Sequence, residues 1–372
     1  MKGSQSPIPI LICAGPTGGH FFPAISFAET FQAIHPEAEI HILMSRMPEF
    51  VQGAAQAGSF HFHLISFSAF PSFFSLKVLG FLLDYSRALW RTFLHILKIK
   101  PRLVVGFGSY SSVPGVLCAA FLRIPILLHE QNALAGRANR FLACFAEQVA
   151  VSFPETKGWF IRPKMVWTGY PLRPVFEAVP KSFQRKSKEG ELFTLLVFGG
   201  SQGSRRLNQI FLESLSTFSA EERARFAVIH IVGDDDLDQW QQAYKNLGVV
   251  AEMYHFSDQI FEQYQRADLV IARAGAGTIF ELAAVGRTAI LVPYPYAYAH
   301  QKNNADYLVR EEAAQLICEE EVSPQVMRQA IAQLRDNTSQ RLQLEKNIKR
   351  LSKRSAGQVL VETGWELICK RN

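Results

Sequence analysis

The chain has 372 residues, 48% hydrophobic and 19% charged, which excludes a disordered or fibrous protein and leaves room for two domains of roughly 150 residues each. Lys and Arg outnumber Asp and Glu by 39 to 33, and with a pI near 9.0 this points to an anionic partner: phosphate, acidic lipid or nucleic acid. Five scattered cysteines, Cys13, Cys118, Cys144, Cys318 and Cys369, form no CxxC or His/Cys pattern, so they are expected as reduced core thiols and not as a zinc site.

Residues 8–14 are apolar but too short to cross a bilayer, and residues 10–14 read as a first strand. The loop GPTGGHFFPA follows, then a helix through Phe27, Ala28 and Phe31. Gly18 and Gly19 let backbone approach a ligand closely, and His20 stands at the helix mouth as a candidate base or, alternatively, as a residue capping its own turn. Strands are expected over 40–44 and 60–65, and then a dense apolar cluster, Phe73, Phe74, Leu76, Val78, Leu79, Phe81, Leu82 and Leu83, is surrounded by basic residues from Lys77 to Arg102. Charges at Lys77, Asp84 and Arg87 break the run, so it suits either a surface docking on anionic lipid or a core-packing helix with a solvated basic face. No RNP-like or helix-turn-helix pattern supports nucleic acid.

A strand over 103–106 runs into GFGSYSSVPG, where Pro114 suits a first helical turn, and a buried strand over 126–128 runs into HEQNALAGRANR. Four consecutive polar side chains after a core strand point to a cleft more than to a loop that merely caps the helix through Phe141, Leu142 and Phe145. Glu130 and Asn132 are suited to hold hydroxyls, and His129 or Glu130 is a second base candidate. Strands over 148–151 and 164–167 complete the first half, and the charge-rich stretch 177–190 is the expected boundary, with Arg173 just before it.

The second half restarts the device. A strand over 193–198 leads into GGSQGSRRLNQ, where Ser201 and the loop amides suit a pyrophosphate. Strands over 227–232 and 249–254 follow, and Asp234, Asp235 and Asp236 between them read as a turn and helix cap in preference to a metal site. The stretch ADLVIARAGAGTIFELAAVG then gives strand, glycine loop and helix, with Ala276, Gly277 and Thr278 at an anion-binding helix mouth and Glu281 one turn inside. Gln301 and Asn304 follow a strand over 289–292, on the edge where open α/β sheets bind ligands. A strand is expected over 314–318, and the remainder, 322–369, reads as helical with a last helix over 357–369.

Seven segments in order, GPTGGHFFPA, GFGSYSSVPG, HEQNALAGRANR, GYPLRPVF, GGSQGSRRLN, ADLVIARAGAGTIFELAAVG and HQKNNA, resemble the MurG family, the UDP-N-acetylglucosamine:lipid I N-acetylglucosaminyltransferases of peptidoglycan synthesis. The resemblance implies an α/β GT-B fold, two Rossmann-like domains with parallel sheets facing across a deep cleft. Residues 1–176 would take the lipid acceptor, residues 177–355 would bind UDP-GlcNAc, and the helix in 356–372 would return to the first domain. It implies inverting transfer to the muramyl C4 hydroxyl of lipid I, with His20 as general base and Glu130 as the alternative. Donor contacts are implied from Thr17, Gly18, Gly19, Asn132, Arg173, Ser201, Ala276, Gly277, Thr278, Glu281 and Gln301. Membrane docking is implied for Phe73, Phe74, Leu76, Leu79, Phe81 and Leu82. No cofactor, metal or nucleic acid is implied; the partners would be UDP-GlcNAc, lipid I, an anionic membrane surface and other wall-synthesis and division proteins, at the cytoplasmic face of the inner membrane. The chain departs from the family pattern at Pro16, at Tyr170 where asparagine is usual, and at Gly277. Alternatives are another GT-B enzyme (a diacylglycerol glycosyltransferase or a UDP-GlcNAc 2-epimerase) and a non-catalytic UDP-sugar-binding scaffold.

Overall fold

The computed structural model describes residues 7–48, 60–66, 77–158, 164–180, 190–200, 203–295 and 299–371, with backbone only for 77–79. The chain divides into two compact units, residues 1–173 with 355–372 and residues 174–354.

The first unit runs β1 (Ile8–Cys13), α1 (Gly18–Ile34), β2 (Ala38–Met44), β3 (His61–Leu64), α2 (Lys77–Ile99), β4 (Leu103–Gly106), α3 (Val113–Phe121), β5 (Ile126–Glu130), α4 (Arg137–Leu142), β6 (Gln148–Val151) and β7 (Lys164–Trp167). Its seven strands are all parallel, in the order β3-β2-β1-β4-β5-β6-β7. Alternation along each strand feeds two cores, because successive side chains point to opposite faces. Ile10 and Ile12 of β1 join the core that includes Phe27 and Phe31 of α1, whereas Leu11 and Cys13 join the core under α2 and α3.

The second unit runs α5 (Pro174–Glu177), β8 (Phe193–Phe198), α6 (Arg205–Ser216), α7 (Ala220–Arg223), β9 (Phe226–Ile231), α8 (Leu237–Leu247), β10 (Val250–Tyr254), α9 (Ile260–Arg266), β11 (Leu269–Ala272), α10 (Ala276–Val285), β12 (Ala289–Leu291), α11 (His300–Arg310), β13 (Gln315–Leu316), α12 (Pro324–Asp336) and α13 (Thr338–Arg350). The six strands, again all parallel, are ordered β10-β9-β8-β11-β12-β13. Both sheets therefore have the doubly wound arrangement in which the strand order reverses beside the first strand.

The last helix, α14 (Ala356–Cys369), packs in the first unit. Leu360, Val361, Leu367 and Ile368 join the core of Ile10 and Phe27. Gly364 lets the helix sit close to the sheet, since a Cβ there would stand 2.9 Å from Leu103.

Three expectations need correction. Cys13 and Cys118 are buried thiols, but Cys144 and Cys369 are exposed. The strand expected over 314–318 is confined to two residues of β13. The helix expected through Phe141, Leu142 and Phe145 ends at Leu142 in a 3-10 turn, and both phenylalanines are exposed.

Candidate active site

In each unit the strand order reverses between the two central strands, so the loops leaving their carboxyl ends border the crevice where such sheets bind ligands. In the first unit these loops follow β1 and β4. His20 lies in the first turn of α1, and its Nδ1 is 2.9 Å from the Phe107 carbonyl beyond β4. A carbonyl only accepts, so Nδ1 carries the proton and Nε2 is the basic nitrogen of the neutral ring.

Two glycines close on that ring. A Cβ on Gly15 would stand 2.5 Å from Ser109 Cβ and 3.1 Å from His20 Cδ2. Gly108, at φ +76°, lies against Asn139 and His20, and Ser109 beside it also has positive φ, at 65°. A non-glycine residue in that region is strained, as is common where a loop is held for function. Thr17 caps α1 through its backbone carbonyl, Gly18 is buried, and nothing lies within 4 Å of where a Cβ on Gly19 would be. Protein packing therefore does not itself require glycine at position 19.

The loop after β5 is organised by Glu130. This buried carboxylate accepts from the Asn132 backbone N–H (2.9 Å) and Nδ2 (3.2 Å), the Gly136 N–H (3.0 Å) and Asn139 Nδ2 (2.8 Å). Both oxygens are taken up in this way, so Glu130 holds the loop and orients Asn132. His129 is also no surface base. It is wholly buried, Nε2–H donates to Gly169 O (3.2 Å), Nδ1 faces the Gln131 amide nitrogen (3.1 Å), and burial pushes its pKa down to about 4. Gln131, to which the sequence assigned no role of its own, also donates to Phe107 O at 3.0 Å. The carbonyl that orients His20 is thus itself held from the β5 loop. Arg173 lies at this end of the unit, its guanidinium 5.3 Å from the centre of the Phe22 ring.

In the second unit the corresponding loops follow β8 and β11. Ser201 lies outside the described residues. Ser204 caps α6, and its hydroxyl oxygen accepts from Arg273 Nε (3.1 Å) and Nη2 (2.8 Å). Arg273 is only 3% exposed; it also donates to Val292 O and makes a two-pronged pair with Glu319, which Arg206 joins. One buried cation therefore ties the β8 loop, the end of β12 and the segment after β13 together. Asn304 is fully buried and donates to Ala274 O at 3.2 Å, so it supports the β11 loop and does not face a ligand.

Gly275 opens α10 with no side-chain cap and no acidic residue in the first turn, and the first intrahelical bond is from Ile279 N–H to Gly275 O. The Ala276, Gly277 and Thr278 amides thus precede the helical ladder at a positive dipole end, an arrangement suited to phosphate. Glu281, one turn in, accepts from the Tyr264 hydroxyl (3.1 Å), and Gln301 in the first turn of α11 accepts from the Tyr294 N–H (2.9 Å). The acidic triplet has other work: Asp236 caps α8, while Asp235 pairs with Arg205 and Asn208.

The apolar–basic stretch forms α2. Phe73, Phe74, Leu76 and the Leu79 side chain lie outside what is described. Leu82 is exposed, but Phe81 is only 5% exposed and packs against the Tyr85 and Tyr110 rings. The expectation that Phe81 faces outward is corrected: it lies with Ala88, Thr92 and Ile96 on the buried side of the helix. The outer side carries Leu83, Trp90, Leu94 and Leu97, each 45–62% exposed, at spacings that share one helical face. Rings connect Trp90 through Phe93 to Phe121 of α3, itself 78% exposed, and Arg87, Arg91 and Lys98 flank the stripe. Among the described residues no helix is long and apolar enough to cross a membrane.

Residues 10–151 match the glycosyltransferase family 28 N-terminal domain, and residues 194–360 match the corresponding C-terminal domain. A protein of Desulfotalea psychrophila named UDP-N-acetylglucosamine--N-acetylmuramyl-(pentapeptide) pyrophosphoryl-undecaprenol N-acetylglucosamine transferase is 35% identical over 360 residues, covering 96% of each chain. The Geobacter sulfurreducens protein of the same name is 33% identical, over 95% of this chain and 97% of its own. The chain belongs to the MurG family. The crystal structure of Acinetobacter baumannii MurG has the same fold, with a TM-score of 0.75 at 24% identity, over 97% of this chain and 100% of that one. The family assignment spans both units, so the two halves of the chain are counterparts of the two halves of its relatives.

Proposed function

We propose that this chain moves N-acetylglucosamine from UDP-N-acetylglucosamine to the muramyl C4 hydroxyl of lipid I, forming lipid II with inversion at the anomeric carbon. Identity of about a third across nearly the whole length of transferases with that name carries the reading. In the first unit, the acceptor hydroxyl gives its proton to Nε2 of His20 as its oxygen bonds to the anomeric carbon. The bond from that carbon to the diphosphate oxygen breaks, and UDP leaves with the electron pair. The fixed Nδ1–H of His20 supports this role, since it makes Nε2 the basic nitrogen of the neutral ring.

The second unit holds the donor. The amides of Ala276, Gly277 and Thr278 stabilise the departing diphosphate, Glu281 takes the ribose, and Gln301 and Ser201 complete the donor site. Thr17, Gly18, Gly19, Asn132 and Arg173 contact the donor from the first unit. The outer face of α2, with Leu82, Leu83, Trp90, Leu94 and Leu97, and with Phe121 beside it, rests on anionic lipid at the inner face of the membrane. That placement brings the enzyme to an acceptor anchored by its undecaprenyl chain, and to the other wall-synthesis and division proteins working there.

The test is transfer of labelled N-acetylglucosamine from UDP-N-acetylglucosamine to a short-chain lipid I analogue. Product is expected, and His20→Ala should lower kcat about 10²–10⁴-fold with little change in donor affinity. Absence of transfer by the intact protein overturns the reaction; an undiminished kcat in the variant removes His20 from the base role.

A further inference from the structure

Four imidazoles form a chain of ring contacts from the β2–β3 edge to α2, with the half-exposed His61 at its outer end, away from the candidate active site. His41 comes from β2, His61 and His63 from the edge strand β3, and His95 from α2. Parallel pairing places His41 beside His61, and Leu43 beside His63. The rings of His41 and His61 stack at 4.9 Å, those of His41 and His63 at 5.3 Å, and His95 meets the His63 ring edge-on at 5.3 Å. His41 Nδ1 lies 3.0 Å from His63 Nε2, while His41 Nε2 and His61 Nε2 face a Glu39 oxygen at 3.5 and 3.3 Å. The nitrogens pair with one another and with Glu39, and among the described residues no group of three ligating side chains is placed to hold a metal.

His41 Nδ1 and His63 Nε2 share one proton, carried by either ring. A proton added to His63 would place a cation among three imidazoles and Lys98 of α2, with Glu39 turned toward the other two rings.

We propose that this cluster makes the seating of α2 on the β2–β3 edge proton-dependent, so that the helix loosens as the solution becomes acidic. The inference stands whether or not the outer face of α2 meets lipid. Burial, with the neighbouring rings and Lys98, lowers His63 to about 4, and burial lowers His41 despite Glu39. The sign follows from linkage. A ring whose seated value lies below that of a free imidazole binds fewer protons seated than released, so seating is at full strength above about pH 6.5 and weakens toward pH 4.

Hydrogen exchange of the whole protein, corrected for the intrinsic effect of pH, reads this directly. Between pH 7.5 and 5.5, local opening of α2 and β3 should rise about tenfold from His63 alone. His63→Gln should flatten the rise, and His95→Gln, which leaves the sheet edge intact, should reduce it if the first variant folds poorly. An equal rise in both variants, no rise in the wild type, or strong protection of these segments by zinc at pH 7.5 would each overturn the proposal.

Discussion

Arg273 was not singled out by its sequence context, yet it gathers partners from three separate parts of the second unit. Its partners are Ser204, Val292 and Glu319, far away in the chain, and no local pattern announces such a meeting. Arg273→Met should cost about 3 kcal/mol in urea denaturation followed by a probe in the second unit, because Glu319 would stay buried with only Arg206 to answer it. Arg273→Lys should recover part of that loss and not the two-pronged pairing. His230 makes a second prediction. Its Nε2–H donates to Asn208 Oδ1 (3.1 Å), its Nδ1 faces the Tyr244 hydroxyl (2.8 Å), and burial lowers it to about 3. The unfolded chain therefore binds the extra proton below the ordinary imidazole value, so stability is full above about pH 6.5 and falls with acid by about 1.4 kcal/mol per pH unit for this residue. Urea midpoints from pH 7 to 4.5 should carry that slope, and His230→Gln should reduce it. Glu130 and His129 teach the same lesson in reverse: a run of polar residues at a strand end correctly marks the place, but which of them faces outward depends on partners supplied by Asn139, Gly136 and Gly169.

At the scale of the element, the central strands were legible because strands covered on both faces read as unbroken apolar runs bounded by glycine and polar residues. β4, β6, β8 and β11 fall where those runs fall. The mouths of α1 and α10 were legible for a related reason, since glycine and an absent side-chain cap mark a helix start left open. The orientation of α2 was not. Apolar residues stand on more than one side of this helix, Phe81 on one and Trp90 and Leu94 on another, and the packing of Phe81 on Tyr85 and Tyr110 fixes which side is inside. The outward stripe leads to a prediction: Trp90→Glu with Leu94→Glu should weaken association with anionic vesicles about tenfold or more, measured by sedimentation. Transfer to a short-chain acceptor in solution should be unchanged. Unaltered vesicle association would show that this stripe is not the lipid-facing surface.

For the whole molecule, the decisive feature is that the first unit is made from two separate parts of the chain. Leu360, Val361, Leu367 and Ile368 of α14 complete the core beneath α1. Burial of four such side chains contributes on the order of 6–12 kcal/mol, comparable with the stability of an entire domain. Truncation after Arg354 should abolish exchange protection in β1, β4 and α1 while leaving β8, β9 and β11 protected; retained protection in the first unit would contradict this account of its core. The same feature orders events during synthesis. The ribosome makes most of the first unit, then the whole of the second, and only afterwards the helix that covers Ile10, Ile12 and Leu103. Through that interval the nascent sheet keeps an apolar face uncovered, and α1, whose first turn carries His20, lacks the helix that backs it. Chains broken off before α14 therefore remain incomplete at their beginning, which makes them targets for chaperones and proteases before they can occupy substrate.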